Sequence, residues 1–426
     1  MIRGRIICGR TAFIVPTMAT PAAGPERDPG AAGAPARTDF AGALREIASG
    51  AAQREAHDEN PFAAIEIVRA ARIGALRLPV RDGGAGHSMR QFFGAIIDLA
   101  AADPVVAHIL RTHYWFVEER LREPESARRT HWIGEIAAGR IFGNATTEHG
   151  PAALGALRYQ TVLTPEGEDF SLTGTKFYCT GTLFSDYVNV WASGGPEKLV
   201  SLVVPTKRHG ITLIDDWDGM GARKTGSGTT KFDRVLVRPE EILLEARLDA
   251  QPPPTYEFAF LQLYLQAIMA GILRNVVADA VKLVKSRERS FAFAPAEKPA
   301  DDPLLQEVIG ELSAAAFAAE ATVLHAAEAL DAAHASLRNG IPEEALAQKA
   351  SLAAAQAKVH VDRVAARASD QLFDVGGASA ASKSKNLDRH WRAIRTLTMH
   401  NPTLYKAMVV GKHLVHGDPL PINGYF

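Results

Sequence analysis

The sequence predicts an α+β protein, mostly helical, in which a β-rich segment separates two helical regions. Three observations carry this. From Thr38, T-D-F-A-G-A-L-R-E-I-A offers a capping residue followed by apolar positions at helical spacing, and F-A-A-I-E-I-V-R-A-A-R and F-F-G-A-I-I-D-L-A-A-A continue the pattern. The texture then changes to short β-rich runs, S-L-T-G-T-K-F-Y-C-T-G, Y-V-N-V-W-A and L-V-S-L-V-V-P, parted by Gly, Pro and Asp turns. Ala-rich helical periodicity then returns, as in A-A-A-F-A-A-E-A-T-V-L-H-A-A-E-A-L, with the i, i+3, i+4 spacing of a bundle. The division is a helical domain over 38–140, a small antiparallel barrel or sandwich over 141–245, and a helix bundle over 246–426. Residues 1–37 begin basic and mildly apolar and continue rich in Ala, Pro and Gly, so they are expected to be a disordered tail.

Composition narrows the chemistry. With 426 residues and 47% hydrophobic content, the chain is long enough for two or three cores. Lys plus Arg number 47 against 48 Asp plus Glu, so a net charge of −1 gives no electrostatic footprint for nucleic acid. Two cysteines, Cys8 and Cys179, make neither a disulfide framework nor a Cys-rich metal site. Cytoplasmic location is expected, with no metal. No apolar run is read as a membrane span, and charges and glycines interrupt every stretch that would serve as a secretory signal.

Glycine clusters do not rescue a nucleotide reading. G-G-A-G-H-S at Gly83 lacks the strand, the spacing and the following acidic residue of a dinucleotide fingerprint. There is no Walker loop, no G-x-S-x-G elbow and no H-E-x-x-H. The segment M-H-N-P-T-L-Y-K, Met399 to Lys406, stands out instead. Asn401 has the chemistry of an N-cap and Pro402 that of a first helical residue, so a helix restarting at Thr403 would leave His400 just outside its positive end. His400 is either a neutral imidazole at a site or an ordinary helix-end cap.

Several words in order resemble the acyl-CoA dehydrogenase superfamily: L-P-V-R-D-G-G-A-G near Pro79, G-N-A-T-T-E at Gly143 to Glu148, L-T-G-T-K-F-Y-C-T-G at Leu172 to Gly181, and F-D-V-G-G-A-S at Phe373 to Ser379. Within it, D-D-W-D-G-M-G-A-R-K-T-G-S-G, N-L-D-R-H-W-R-A-I-R-T and M-H-N-P-T-L-Y-K are similar to the reduced-flavin-dependent monooxygenases of the dibenzothiophene and dimethyl sulfone type. The resemblance implies an N-terminal helical domain, a central antiparallel β-barrel and a C-terminal four-helix bundle. It also separates two activities. Where many of the dehydrogenases carry the glutamate that abstracts an α-proton, this chain reads Met399-His400-Asn401-Pro402, and the alternative position near Gly271 reads A-I-M-A-G-I-L-R.

The expected activity is therefore a two-component monooxygenase that uses reduced FMN and O2, through a flavin C4a-hydroperoxide, to oxygenate a small apolar organosulfur substrate. FAD stays open as the flavin. A separate NAD(P)H-dependent flavin reductase is the expected partner, and the resemblance implies a homotetramer. It places His400, Asn144 and Thr180 around the flavin ring, and His113 on a pocket-lining helix where it serves both catalysis and substrate binding. His113 is preferred to His108, with a buried structural histidine as the alternative. The cofactor contacts are Phe142, Asn144 and Thr146 along one extended face, Tyr178 and Thr180 along another, Arg289 reaching a phosphate with Arg287 as its competitor, and Gly376 and Gly377 for close approach. Trp217 walls the substrate pocket. An acyl-CoA dehydrogenase with a displaced base and a catalytically silent homologue remain the alternatives.

Overall fold

The computed structural model describes residues 39–150 and 157–426, so the tail expected to be disordered lies outside the described residues. Five helices come first: α1 (Phe40–His57), α2 (Phe62–Ala70), α3 (Met89–Ala102), α4 (Pro104–Arg122) and α5 (Ala127–Ala137). Their starts follow side-chain chemistry. Ser88 and Gln91 form a capping box on α3, and Asp103 accepts from Val105 and Val106 at the head of α4, where Pro104 occupies the first turn.

Eight strands follow: β1 (Phe142–Ala145), β2 (Val162–Glu166), β3 (Asp169–Lys176), β4 (Tyr187–Gly195), β5 (Lys198–Pro205), β6 (Ile211–Ile214), β7 (Thr229–Val237) and β8 (Ile242–Arg247). They form one sheet in the order β6-β7-β3-β2-β4-β5-β8, with β1 beside β4. The sheet is not wholly antiparallel. β1 runs parallel to β4, and β2 meets β4 through one parallel pair, Val162 with Ser193. Its own core gathers Leu172, Val188, Val190, Leu202, Val204 and Val235.

Five helices close the chain: α6 (Glu257–Ser286), α7 (Pro303–Ala335), α8 (Glu344–Gln371), α9 (Asp388–Thr398) and α10 (Thr403–His416). The first three pack on one another, α10 lies on α8, and α3 inserts against α6 and α7. One hydrophobic core therefore runs from Ile47 and Phe92 on the N-terminal helices to Leu330, Val361 and Ile394 in the bundle. By length and composition α7 is apolar enough to cross a membrane, which corrects the expectation that no segment is. Its buried stripe, Leu312, Ala316, Ala319, Val323 and Leu330, is packed in the bundle, and the Ala-rich sequence that raises its hydropathy is what lets α6 and α8 approach.

Candidate active site

Helix phase on α4 decides which histidine faces the cleft between sheet and bundle. His108, Arg111, Thr112, Trp115 and Glu119 recur at helical three- and four-residue spacing. His108 lines a cavity of about 250 Å³ together with Ala48, Lys224, Ile268 and Leu397. Trp115 and Glu119 line a second, of about 330 Å³, with Trp191, Tyr159, Phe258 and Tyr425. Between them Arg111 reaches His400, and Thr112 donates to the carbonyl of Thr180 at 3.0 Å.

His113 points elsewhere. It is fully buried, its Nε2 lies 2.8 Å from the Gly74 carbonyl, and its Nδ1 accepts from the Phe142 amide at 3.2 Å. Its assignment as a catalytic and substrate-binding residue is therefore corrected: both ring nitrogens are consumed in joining α4 to the first strand. Five residues along a helix turn a side chain by about 500°, so His108 and His113 cannot share a face. Burial pushes the His113 pKa down to about 4 and that of His108 to about 3.

His400 follows the end of α9, and its Nε2 lies 3.4 Å from an Arg111 nitrogen. The residue lines neither of the two cavities and is exposed in the single chain, although protein groups crowd around its ring. This enclosure, then Arg111, His108, Lys358 and Lys406, hold its pKa well below the usual histidine range. The expected helix restart at Thr403 is present, but its cap is Pro402, with no side-chain capping bond. Asn401 is buried and instead donates to Gln262 at 3.0 Å and to the Tyr425 carbonyl at 2.7 Å, fastening the C-terminal residues over α6.

The sheet side of the cleft is a chain of neutral groups. Thr146 donates to Asn144 Oδ1 at 2.8 Å, Thr182 donates to the Asn144 carbonyl at 3.0 Å, and the Asn144 amide donates to the Thr182 hydroxyl at 3.0 Å. Thr180 Oγ1 meets Ser227 at 2.8 Å, and Ser227 meets Thr225 at 2.7 Å. Tyr178 has a left-handed backbone, φ 56°, and is 51% exposed, with Trp217 edge-on at 5.8 Å. Trp217 is anchored through its indole N–H to the Ala222 carbonyl at 3.1 Å; among the described residues it lines neither of the two cavities but braces Tyr178.

Phe142 is a core residue. It stacks on Phe116 at 4.0 Å and on Tyr187 at 5.1 Å with no exposed surface, so only its backbone belongs near the cleft. Period two puts it on the Asn144 face, but the aromatic layer of α4 and α5 covers that end of the strand. Glu148, in the G-N-A-T-T-E word, is also structural: it binds Lys176 at 2.7 Å and the amide of Thr161 at 2.9 Å, and those partners outweigh burial to lower its pKa.

Arg287, not Arg289, is tied to the glycine segment. Its guanidinium donates to the Val375 carbonyl at 2.8 Å beside Gly377, whose φ of 58° favours glycine, whereas Arg289 is exposed. At Gly376 a Cβ would meet the Ala380 methyl at 2.3 Å, so both glycines are required by the turn itself. Arg287, Gly376 and Gly377 thus meet just past the C-terminal end of α6, and Arg289 makes no contact with the glycines among the described residues. Sequence reasoning weighed His108 and set it second to His113, and it left out Arg111, Thr112 and Ser227; the helical spacing of His108, Arg111 and Thr112 on α4 is the available signal.

Residues 263–403 match the acyl-CoA dehydrogenase C-terminal domain family. A probable FMNH2-dependent monooxygenase of Pseudomonas putida is 28% identical over 390 residues, covering 89% of this chain and 94% of the relative. Among solved structures, the FMN-bound dibenzothiophene monooxygenase of Paenibacillus sp. A11-2 superposes with a TM-score of 0.83 at 25% identity, covering 91% of this chain and 98% of that one. The methanesulfinate monooxygenase of Pseudomonas fluorescens gives 0.81 at 27% identity, with 91% and 98% coverage. The chain has the acyl-CoA dehydrogenase fold, matches that family's C-terminal domain over residues 263–403, and is similar along most of its length to reduced-flavin-dependent monooxygenases.

Proposed function

We propose that the protein is a two-component, reduced-FMN-dependent monooxygenase that oxygenates a small organosulfur compound. The observation that carries this reading is His400, 3.4 Å from an Arg111 nitrogen, on the segment where many of the dehydrogenases hold a basic carboxylate. Glu119 and Glu55, two of the carboxyls that line the cavities, are poor substitutes for that base. Burial holds the Glu119 pKa at about 8, so it keeps its proton at neutral pH. Glu55 is also held by hydrogen bonds from Asn386 and Arg392, which outweigh its burial and lower its pKa.

The cleft fits a flavin on chemical grounds. Tyr178 presents an exposed ring braced by Trp217, and Asn144 on β1 with Thr146 just after it offers amide and hydroxyl groups. Asn144, Thr146, Tyr178 and Thr180 would hold the isoalloxazine, with Gly376, Gly377 and Arg287 or Arg289 serving the phosphate end across a subunit boundary. The bound reduced flavin supplies two electrons and the carbon that activates oxygen. The protein's part is to exclude water and present fixed donors, which is where such sites derive most of their stabilisation. The second cavity, walled by Trp115, Trp191, Phe258 and Tyr425, suits the apolar part of a substrate.

Reduced flavin comes from a separate NAD(P)H-dependent reductase, and both proteins work in the cytoplasm. A homotetramer is supported by α10, whose Leu404, Tyr405, Leu414 and Val415 are 66% to 78% exposed in the single chain. The experiment is O2-dependent product formation with enzymatically reduced FMN, screened over sulfides, sulfoxides, sulfones and sulfinates. Tightly bound FAD with acceptor-linked turnover of an acyl-CoA would replace this reading with the dehydrogenase one.

A further inference from the structure

Arg111 is an expensive residue to bury. Its side chain is 7% exposed, and no carboxylate among the described residues pairs with it. Its Nε donates to the Leu261 carbonyl at 3.1 Å, and its remaining side-chain contact is His400 Nε2 at 3.4 Å. A guanidinium has only donors and no acceptor. Burial lowers its pKa to about 10, which still leaves it charged at neutral pH. The imidazole nitrogen facing it must therefore be a lone pair.

We infer that Arg111 is the positioning residue that holds His400 as a neutral hydrogen-bond donor, with the proton on Nδ1 and that N–H turned to the cleft. One lone pair on Nε2 leaves the ring's single proton on the other nitrogen. No hydrogen bond among the described residues occupies Nδ1. A second proton on Nε2 would oppose an arginine N–H at 3.4 Å, within a positive surround. His108 on α4, Lys358 on α8 and Lys406 on α10 all face the ring with positive or neutral groups. Asp362 is the acid among them, and it is engaged by Lys358 at 2.8 Å and by Thr403. Arg111 and His400 lie on α4 and on the α9–α10 turn, so the lock fixes both tautomer and ring orientation across that junction.

The consequence for oxygenation rests on the reduced-flavin reading above; the tautomer does not. The experiment is imidazole nitrogen NMR on the full-length ¹⁵N-histidine-labelled protein, with and without FMN, the His400 signals identified by loss in His400→Gln. The expected result is an Nδ1–H tautomer that does not titrate between pH 6 and 8. In Arg111→Met the His400 signals should show the Nε2–H form and a pKa raised by about one unit or more. Arg111→Lys should restore the wild-type tautomer. In turnover, Arg111→Met should divert oxygen to free hydrogen peroxide and lower product per flavin by roughly 10- to 100-fold, the range seen when a partner that orients a histidine is removed. A wild-type Nε2–H tautomer, or an unchanged tautomer and pKa in Arg111→Met, overturns the inference. A wild-type Nε2–H tautomer overturns it even if the variant fails to fold. The lock with no oxygenation of any substrate would sink the activity and leave the inference standing.

Discussion

The two walls of the cleft are built on opposite principles. On the sheet side Asn144, Thr146, Thr180, Thr182, Thr225 and Ser227 are neutral and satisfy one another. On the bundle side Arg111, Lys358 and Lys406 are buried with Asp362 the acid among them, and Lys406 Nζ, Asp362 Oδ1, Asn401 Oδ1 and Gln266 Oε1 have no hydrogen-bond partner among the described residues, Lys406 lying instead 4.1 Å over the Phe426 ring. Burial lowers the Lys406 pKa to about 7. The first wall is complete before anything binds and serves as a shape. The second stores electrostatic energy, and groups held in that condition are the ones chemistry uses.

That contrast predicts where a mutation is felt as activity. His400→Ala removes the donor on the charged wall and should lower oxygenation by roughly 10²- to 10³-fold, the cost of one preorganised donor. Thermal stability should change little, because the ring makes one long hydrogen bond among the described residues and the residue is exposed. Product analysis beside a melting curve tests it: near-parental product yield, or a large fall in melting temperature with kcat retained, would return His400 to a helix-end role.

The sheet wall was more legible in the sequence than the charged one. Gly143 to Glu148 and Leu172 to Gly181 are contiguous words, so local pattern was enough to find Asn144, Tyr178 and Thr180. Arg111, Lys358, Asp362, His400 and Lys406 come from α4, α8, the α9–α10 turn and α10, and tertiary packing alone brings them together. His113 was preferred because resemblance supplied a histidine without supplying its helix phase. Phe142 shows the converse: period two gave the right face, while the aromatic layer over that face is contributed by residues far away in sequence.

His113 gives a sharper contrast with His400, because its substitution should act on folding alone. His113→Phe would leave the Gly74 carbonyl and the Phe142 amide unpaired, costing about 2–4 kcal/mol for two buried groups. The fit is already tight, since a Cβ at Gly74 would lie 2.7 Å from the ring. Denaturant melts should show the loss, while kcat per folded molecule stays near the parent's. A large fall in kcat without loss of stability would restore the catalytic role that the structure removes.

The same residue should also leave a mark on acid stability. Its pKa is about 4 when folded against 6.5 when free, so the unfolded chain binds more protons across that interval. Stability therefore rises with pH through the window. The contribution is complete above 6.5 and falls by about 2 kcal/mol at pH 5, at about 1.4 kcal/mol per pH unit. His113→Phe should flatten this part of the curve. An unchanged slope would assign the acid sensitivity to other groups.

The smallest expected effect lies on the neutral wall. Thr180→Val keeps the side chain's shape but breaks the 2.8 Å contact with Ser227, which still has Thr225 at 2.7 Å. The cost should be about 1 kcal/mol, since one bond of a chain is lost and no group is left wholly unpaired. The backbone link from Thr112 to the Thr180 carbonyl does not involve the hydroxyl and should survive. Ser227→Ala breaks the same contact from the other side, and Thr180→Ser keeps it. If the hydroxyl of Thr180 also faces the reacting atoms, Thr180→Val should lower product formation well beyond Ser227→Ala, with Thr180→Ser near the parent. Equal activity losses in Thr180→Val and Ser227→Ala would mean that Thr180 shapes the wall and touches no chemistry.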